Sequence, residues 1–404
     1  MKGLIDRIGE SERKYVMEVL DSNFRSSKGS LMMTRLEKAF ADKFDVKYAI
    51  SHINGTATLH SAIAAARVGI GDEVIVPPLT MSATTFAVLQ NNAKPVFADV
   101  EEDTFNISPK SIRNCITDRT KAIIPVSLYG LPCDIDEIMK IAQEYNLKVI
   151  EDNAQCFLGK VNGKIAGTCS DMASFSFQSS KHMTSGEGGI IITDDDQLAE
   201  DIRRFSSLGY IGVGAGKGKI SKEDIQDPNY ERHCTLGWNY RMPELCSAVA
   251  LAQLEHLDEL VKRRIDVARL FLNVVENCEW LRAQYVPTNF EPSYWTLAVK
   301  IMDERISWNE FRNVFVANGG DGIYGAWKLT YLEPMFRNLT LAGREVFLRK
   351  NDSAENPYKQ GICPVAEKLQ PRLLQFKTNY WNWQQAEQQA DILEKTIKVI
   401  NKKI

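Results

Sequence analysis

At 404 residues, 44% hydrophobic and 25% charged, the chain has the make-up of a globular protein with material for about two domains, each with its own core. Lysine plus arginine (49) nearly balance aspartate plus glutamate (52), and the basic residues are spread along the chain, so there is no footprint for nucleic acid or another polyanion. The start, Met1-Lys-Gly-Leu-Ile-Asp-Arg, has no apolar signal core, and stretches such as Ala62 to Ala66 are far short of a membrane span; the expectation is a cytoplasmic protein with no membrane partner.

In chain order, Tyr48-Ala-Ile-Ser reads as a strand, Thr56 to Val68 as a helix, Glu73-Val-Ile-Val as a strand and Ser82 to Gln90 as a helix. Strands follow at Pro95 to Asp99, Ala122 to Val126 and Leu147 to Ile150, with a helix from Ile135 to Tyr145 between the last two. This alternation predicts a mostly parallel sheet with crossover helices, one α/β layer system through about residue 195. A short alternating strand, Ser174 to Phe177, and the strand Ile190-Ile-Ile192 flank a glycine-rich turn, Gly186-Glu-Gly-Gly189.

From Met242 to Arg264 the apolar residues Leu245, Val249, Leu254, Leu257, Leu260 and Val261 recur at helical spacing and predict one long helix bridging to a second domain. Beyond it, Tyr294 to Ile301 alternates as a strand and Gln384 to Ile404 reads as a closing amphipathic helix. The expected organisation is a large α/β domain with an N-terminal arm over residues 1–250 and a smaller C-terminal α+β domain over 251–404.

Lys181 stands between two apolar strands, an unusual place for a lysine and a suitable one for an amine that must lose its proton to form a Schiff base with an aldehyde cofactor. Asp152 ends a strand, where α/β folds place their ligands, and an ionised carboxylate there is what a protonated pyridine nitrogen requires. Asn54-Gly55-Thr56 follows a strand and opens a helix, so its N–H groups suit a phosphate dianion, and Ser176 adds a hydroxyl. Together these residues point to a pyridoxal 5'-phosphate enzyme.

The eight cysteines form no C-x-x-C and the five histidines no H-x-x-x-H, so no metal site is expected. Cys156 and Cys169 lie near the site in sequence but lack a recognisable histidine and orienting group for thiol chemistry. Gly212 to Lys219 has the spacing of neither phosphate-binding glycine motif; the segment Tyr210 to Arg232, with Lys217, Lys219, Lys222 and Arg232, reads instead as a mobile lid. With Trp327 and Lys328 it would favour an anionic acceptor.

The runs Asn54-Gly-Thr-Ala, Gly71-Asp-Glu-Val-Ile-Val-Pro77, Pro95-Val-Phe-Ala-Asp-Val100, Leu128-Tyr-Gly130, Glu151-Asp-Asn-Ala-Gln155, Ser174-Phe-Ser-Phe with Lys181, Gly186-Glu-Gly-Gly189 and Asn239-Tyr-Arg-Met-Pro-Glu-Leu245 keep their order and spacing across about residues 35 to 265. In these the chain resembles the DegT/StrS family of sugar aminotransferases. The resemblance implies a fold type I aminotransferase with a mostly parallel, seven-stranded-type sheet, acting as a homodimer with shared active sites. Lys181 would hold the cofactor and act as acid and base, Asp152 would face its ring nitrogen, and Gln155 would lie near the ring. Ser176 with the backbone of Gly55 and Thr56 would bind the phosphate, and Asn239 would reach the phosphate of the partner subunit's cofactor.

Three features depart from the family pattern. Met81 stands where an aromatic residue often stacks on the ring, offering a softer sulfur contact; His182 replaces an asparagine, as a substrate contact or merely to satisfy a local hydrogen bond; and Asp321 to Tyr331, containing Trp327 and Lys328, differs where the substrate is selected. The implied reaction is transfer of an amino group, from glutamate, to a keto or aldehyde sugar for surface polysaccharide. The acceptor is nucleotide-linked or a free acid such as an eight-carbon octulosonate. The alternative is a cofactor-dependent deoxysugar dehydratase of the same fold, whose specialists tend to carry histidine in place of the lysine that is present here.

Overall fold

Two amphipathic helices open the chain in the computed structural model, which describes residues 4–24, 31–216, 220–343 and 356–404: α1 (Glu10–Asp21) and α2 (Met32–Phe44). On α2 the residues Met32, Met33, Leu36, Phe40 and Phe44 recur on one face and are all buried. The α/β system then runs β1 (Tyr48–His52), α3 (Gly55–Ala65), β2 (Glu73–Val76), α4 (Ala83–Gln90), β3 (Lys94–Phe97), α5 (Pro109–Cys115), β4 (Thr120–Ile123), α6 (Ile135–Tyr145) and β5 (Lys148–Asp152). A small hairpin, β6 (Lys160–Val161) and β7 (Lys164–Ile165), precedes β8 (Met172–Ser176), β9 (Gly189–Thr193), α7 (Asp196–Ser206) and α8 (Lys222–Gln226).

The main sheet has seven strands in the order β1-β9-β8-β5-β4-β2-β3. Only β9 runs against its neighbours; the other pairs are parallel. Every residue of β2, β8 and β9 is buried, as continuous apolar runs require in a sheet covered on both faces. The carboxyl ends of β5 and β8 and the start of α3 thereby converge on one edge.

The second half comprises α9 (Glu244–Glu255), α10 (Leu257–Val275), β10 (Leu281–Ala283), β11 (Phe290–Glu291), β12 (Thr296–Ile301), α11 (Trp308–Ala317), β13 (Tyr324–Gly325), α12 (Pro334–Arg337), α13 (Pro364–Leu369), β14 (Leu373–Lys377) and α14 (Trp383–Asn401). A four-stranded antiparallel sheet, β10-β12-β14-β13, shares a core with the later part of α10 and with α11 and α14.

Two features differ from the periodicity reading. The single helix predicted over Met242–Arg264 is two, because the His256 N–H turns back to the Gln253 carbonyl (3.2 Å) and tightens the last turn of α9 before α10 restarts. The apolar stripe continues through the break, so spacing alone does not reveal it. Secondly, residues 329–341 and 358–369 return to the first core: Leu329, Tyr331, Phe336, Tyr358 and Cys363 cluster with Phe97, Val100 and Phe105. The Tyr358 hydroxyl donates to the Pro95 carbonyl at 3.0 Å, and the Asp99 carboxylate accepts the N–H groups of Val365 and Ala366. Among the described residues, no helix is long and apolar enough to cross a membrane.

Candidate active site

Asp152 ends β5 and is buried, and its carboxylate takes two donors: the Thr84 hydroxyl to Oδ2 (2.8 Å) and the Ala154 N–H to Oδ1 (3.1 Å). Burial raises its pKa, and the hydroxyl, the N–H and the Lys181 charge oppose that rise. Lys181 is 9% exposed, in a turn that its own N–H closes onto the Gln178 carbonyl at 2.9 Å. Burial pulls its amine from the usual 10.5 down to about 8, with the Arg264 charge adding to the fall and the Asp152 charge opposing it. A lysine in this state is part neutral near physiological pH, which is the nucleophilic form.

The amine lies 4.3 Å from the centroid of the Trp295 ring. Trp295 is held twice: its indole N–H donates to the Ser180 carbonyl (2.9 Å), and its own carbonyl accepts from Arg264 Nη1 (2.8 Å). Arg264 Nη2 donates to the carbonyls of Ser180 (2.7 Å) and Lys181 (2.8 Å), and Arg7 Nη2 donates to the Lys181 carbonyl at 2.9 Å. Two guanidinium groups, one from the N-terminal arm and one from α10, thus fix the backbone of the lysine.

At the other end, α3 is capped by Asn54, whose side chain accepts the Ala57 N–H at 2.8 Å. The N–H groups of Gly55 and Thr56, in the first turn, have no acceptor within the helix. A Cβ on Gly55 would lie 2.8 Å from Ser176 Cβ, so only glycine lets the helix end meet β8 this closely. A Cβ on Gly189 would fall 2.9 Å from the backbone of Asn54 and Gly55, so β9 presses on the same turn. The Thr58 hydroxyl contacts the Ser174 hydroxyl at 2.6 Å and ties α3 to β8.

The remaining sequence-derived residues are distributed unevenly. Gln155 is buried and its Oε1 accepts the Tyr129 N–H at 2.8 Å. Met81 is 52% exposed, one helical turn before Thr84. Asn239 is exposed, and the neighbouring Tyr240 carbonyl accepts the Ile53 N–H at 2.8 Å, which sets it beside the strand-to-helix turn. Trp327 and Lys328 are exposed, and Trp327 stands 6.1 Å from Trp295. Lys217 and Lys219 lie outside the described residues, and Lys222 begins α8.

His182, expected among possible substrate contacts, is instead a core residue with no exposed surface. Its Nε2 is 3.0 Å from the Ser293 carbonyl and must be the protonated nitrogen, so Nδ1, buried without a partner among the described residues, carries the lone pair. Burial and the Arg264 charge hold its pKa well below the usual value, so it stays neutral. Cys156 is also buried, its thiol pushed up to about 12, and is no nucleophile. Thr84, Trp295, Arg7 and Arg264 were not singled out by the motifs. Arg264 alone had a signal, since it falls in the apolar stripe Leu260, Val261, Val267, Ala268 and Phe271 of α10.

A family model described as the DegT/DnrJ/EryC1/StrS aminotransferase family matches residues 6–349. The chain belongs to this family. GDP-perosamine synthase of Escherichia coli O157:H7 is 39% identical over 260 residues, covering 64% of this chain and 67% of the relative. The GDP-perosamine synthase of Caulobacter vibrioides is 42% identical over 259 residues, 64% of this chain and 65% of the relative, so these alignments span about two thirds of each protein. An aminotransferase from Psychrobacter cryohalolentis, 29% identical, superposes with a TM-score of 0.82 over 97% of this chain and 98% of its own. S. venezuelae DesV, 27% identical, does so with a TM-score of 0.80 over 96% and 94%.

The fold is therefore that of the fold type I aminotransferases, and as a DegT-family aminotransferase the chain uses pyridoxal phosphate. The residues present fit that group. Uncommitted first-turn N–H groups at a turn too tight for a Cβ suit a phosphate, a buried carboxylate suits a pyridinium, and a buried amine of depressed pKa suits an aldehyde.

Proposed function

We propose that this DegT-family aminotransferase moves an amino group from L-glutamate to the keto or aldehyde carbon of a nucleotide-linked sugar, in the cytoplasm, supplying amino sugars for surface polysaccharide. The observation that supports the reading is a buried lysine, Lys181, whose amine is pulled down to about 8 while the charge of the buried Asp152 opposes that fall. The chain's similarity to GDP-perosamine synthases favours a nucleotide-linked acceptor over a free sugar acid.

When bound, the cofactor supplies an electron sink for the electrons left as a proton leaves the carbon beside the transferred nitrogen. Ser176 and the N–H groups of Gly55 and Thr56 would hold its phosphate, while Asp152, whose ionised form Thr84 and Ala154 favour against the effect of burial, would hold a proton on its ring nitrogen. Lys181 Nζ would capture the aldehyde in its neutral form and then, once displaced, carry a proton from one carbon to the other, and burial keeps water from competing. Met81 and Gln155 would flank the ring. Asn239, with the exposed Leu236 and Trp238 beside it, would face a second copy of the chain and reach that copy's phosphate.

The test is glutamate-dependent amination of a panel of nucleotide-linked keto sugars and free keto sugar acids, followed by mass. Amination of a nucleotide-linked member is expected. Amination of free acids alone would replace the proposed acceptor, and an absorbance spectrum that L-glutamate leaves unchanged would remove the donor assignment. Borohydride should fix the cofactor on Lys181, and labelling of a different lysine would overturn the assignment.

A further inference from the structure

One cavity beside the Lys181 turn has been given no role so far. It measures about 260 Å³ and is lined by Ser180, Trp295 and Trp327, by Arg264 of α10, whose guanidinium is already bonded to backbone carbonyls, and by residues of β12, β13 and β14, among them Thr296, Tyr324 and Gln375. The indole rings of Trp295 and Trp327 stand 6.1 Å apart at 34°, and the Tyr324 side chain adds a third aromatic surface. Trp327 is 38% and Tyr324 60% exposed, so two large aromatic side chains stand open at the cavity rather than in the core.

The polar lining is partly uncommitted. Thr296 Oγ1 is buried and has no hydrogen-bond partner among the described residues, which an isolated fold leaves at a cost unless something completes it. Gln375 is buried, with its amide N–H₂ donating to the Gly325 carbonyl at 2.7 Å, so its orientation is fixed. Lys377 is 3.5 Å from Asp321, so its charge is already balanced. Aromatic faces beside a fixed amide and an unpaired hydroxyl match a ligand that is C–H-rich on one face and hydroxylated at its edge. A pyranose ring has that chemistry.

Size limits how much of the acceptor enters. At about 260 Å³ the cavity falls below the roughly 300–1,000 Å³ of pockets that enclose drug-sized ligands, so it takes one ring and leaves a nucleotide outside. Trp295 is shared between this cavity and the site of chemistry, since its ring also faces the Lys181 amine at 4.3 Å.

We propose that this cavity holds the sugar ring of the acceptor, with Trp295 and Trp327 against its C–H face and Thr296 and Gln375 reading its hydroxyls. The proposal rests on the sugar-aminotransferase reading and adds where the ring sits and which residues select it.

Direct binding tests it without turnover. Saturation-transfer NMR on the cofactor-loaded protein would use GDP-mannose as a nucleotide-linked probe and glucuronic acid as a free sugar acid. Magnetisation should reach the pyranose protons of at least one probe and, for GDP-mannose, exceed that on the guanine H8. Trp327→Ala should weaken that binding about tenfold and the near-isosteric Thr296→Val several-fold, with both variants folded by thermal unfolding. Ring protons silent with both probes, or binding unchanged in Trp327→Ala, would overturn it. A protein whose spectrum ignores glutamate would sink the donor reading and leave this measurement intact.

Discussion

The Arg264 guanidinium donates to the Lys181 carbonyl at 2.8 Å and to the Ser180 carbonyl at 2.7 Å, so a cation on α10 grips the backbone of the residue whose amine is proposed to hold the cofactor. Its partners are carbonyl and hydroxyl oxygens, and its charge is one of the causes that disfavour the protonated form of the nearby amine. Arg264→Met keeps most of the bulk and removes the charge. The amine should then titrate above about 8, and the pH midpoint for capture of pyridoxal phosphate by the apo-protein should move upward, with Arg264→Lys returning part of the shift. An unmoved midpoint would count against the clamp.

Asp152→Asn should move the same midpoint in the opposite direction, because the carboxylate is what favours the charged amine. The two variants give opposite signs in one assay, which a general loss of structure does not produce.

Thr84→Val removes a hydroxyl bonded to Asp152 at 2.8 Å and keeps the side-chain shape. The Asp152 pKa, already raised by burial, should rise further, as read by carbon-13 NMR of the apo-protein carboxyl groups, and Thr84→Ser should restore it. The loaded enzyme should lose kcat on the acidic side first.

Lys181→Met should abolish amino transfer and stabilise the apo-protein at pH 7. The folded-state pKa of about 8 lies below the ordinary 10.5, so burial of the charged amine is a penalty fully present below 8 and relieved as pH rises toward 10.5. The stability gain of the variant, from denaturant unfolding, should therefore shrink across that window.

Gly55→Ala places a methyl 2.8 Å from Ser176 Cβ and forces α3 away from β8. A cost of about 1–3 kcal/mol is expected for such overpacking, with much of it seen as a weaker cofactor dissociation constant. His182→Leu, by contrast, should leave the shape of the pH-rate profile unchanged, since the imidazole is buried and neutral throughout.

Strands and crossover helices were legible because parallel, doubly covered strands are written as short apolar runs, as in β2 and β9. Lys181 and Asp152 stood out as candidates because one lies between two apolar strands and the other ends one. The break at His256 was not legible, since a tightened turn leaves the apolar spacing intact, and neither was the return of residues 329–341 and 358–369 to the first core, which depends on contacts distant in sequence such as Tyr358 with Pro95. Thr84 and Trp295 escaped notice for the same reason: their partners, Asp152 and Ser180, are 68 and 115 positions away.

A Cβ on Gly130 would lie 2.5 Å from the Tyr294 nitrogen and 2.6 Å from that of Trp295, and the Gly130 carbonyl accepts the Ser293 N–H at 2.8 Å. Trp295 leads into a strand of the small sheet, yet its backbone is seated against a loop of the large one. Residues 293–295 therefore cannot part from the loop at Gly130 without breaking this seam, so the large sheet's side of the molecule fixes where the indole beside the Lys181 amine stands.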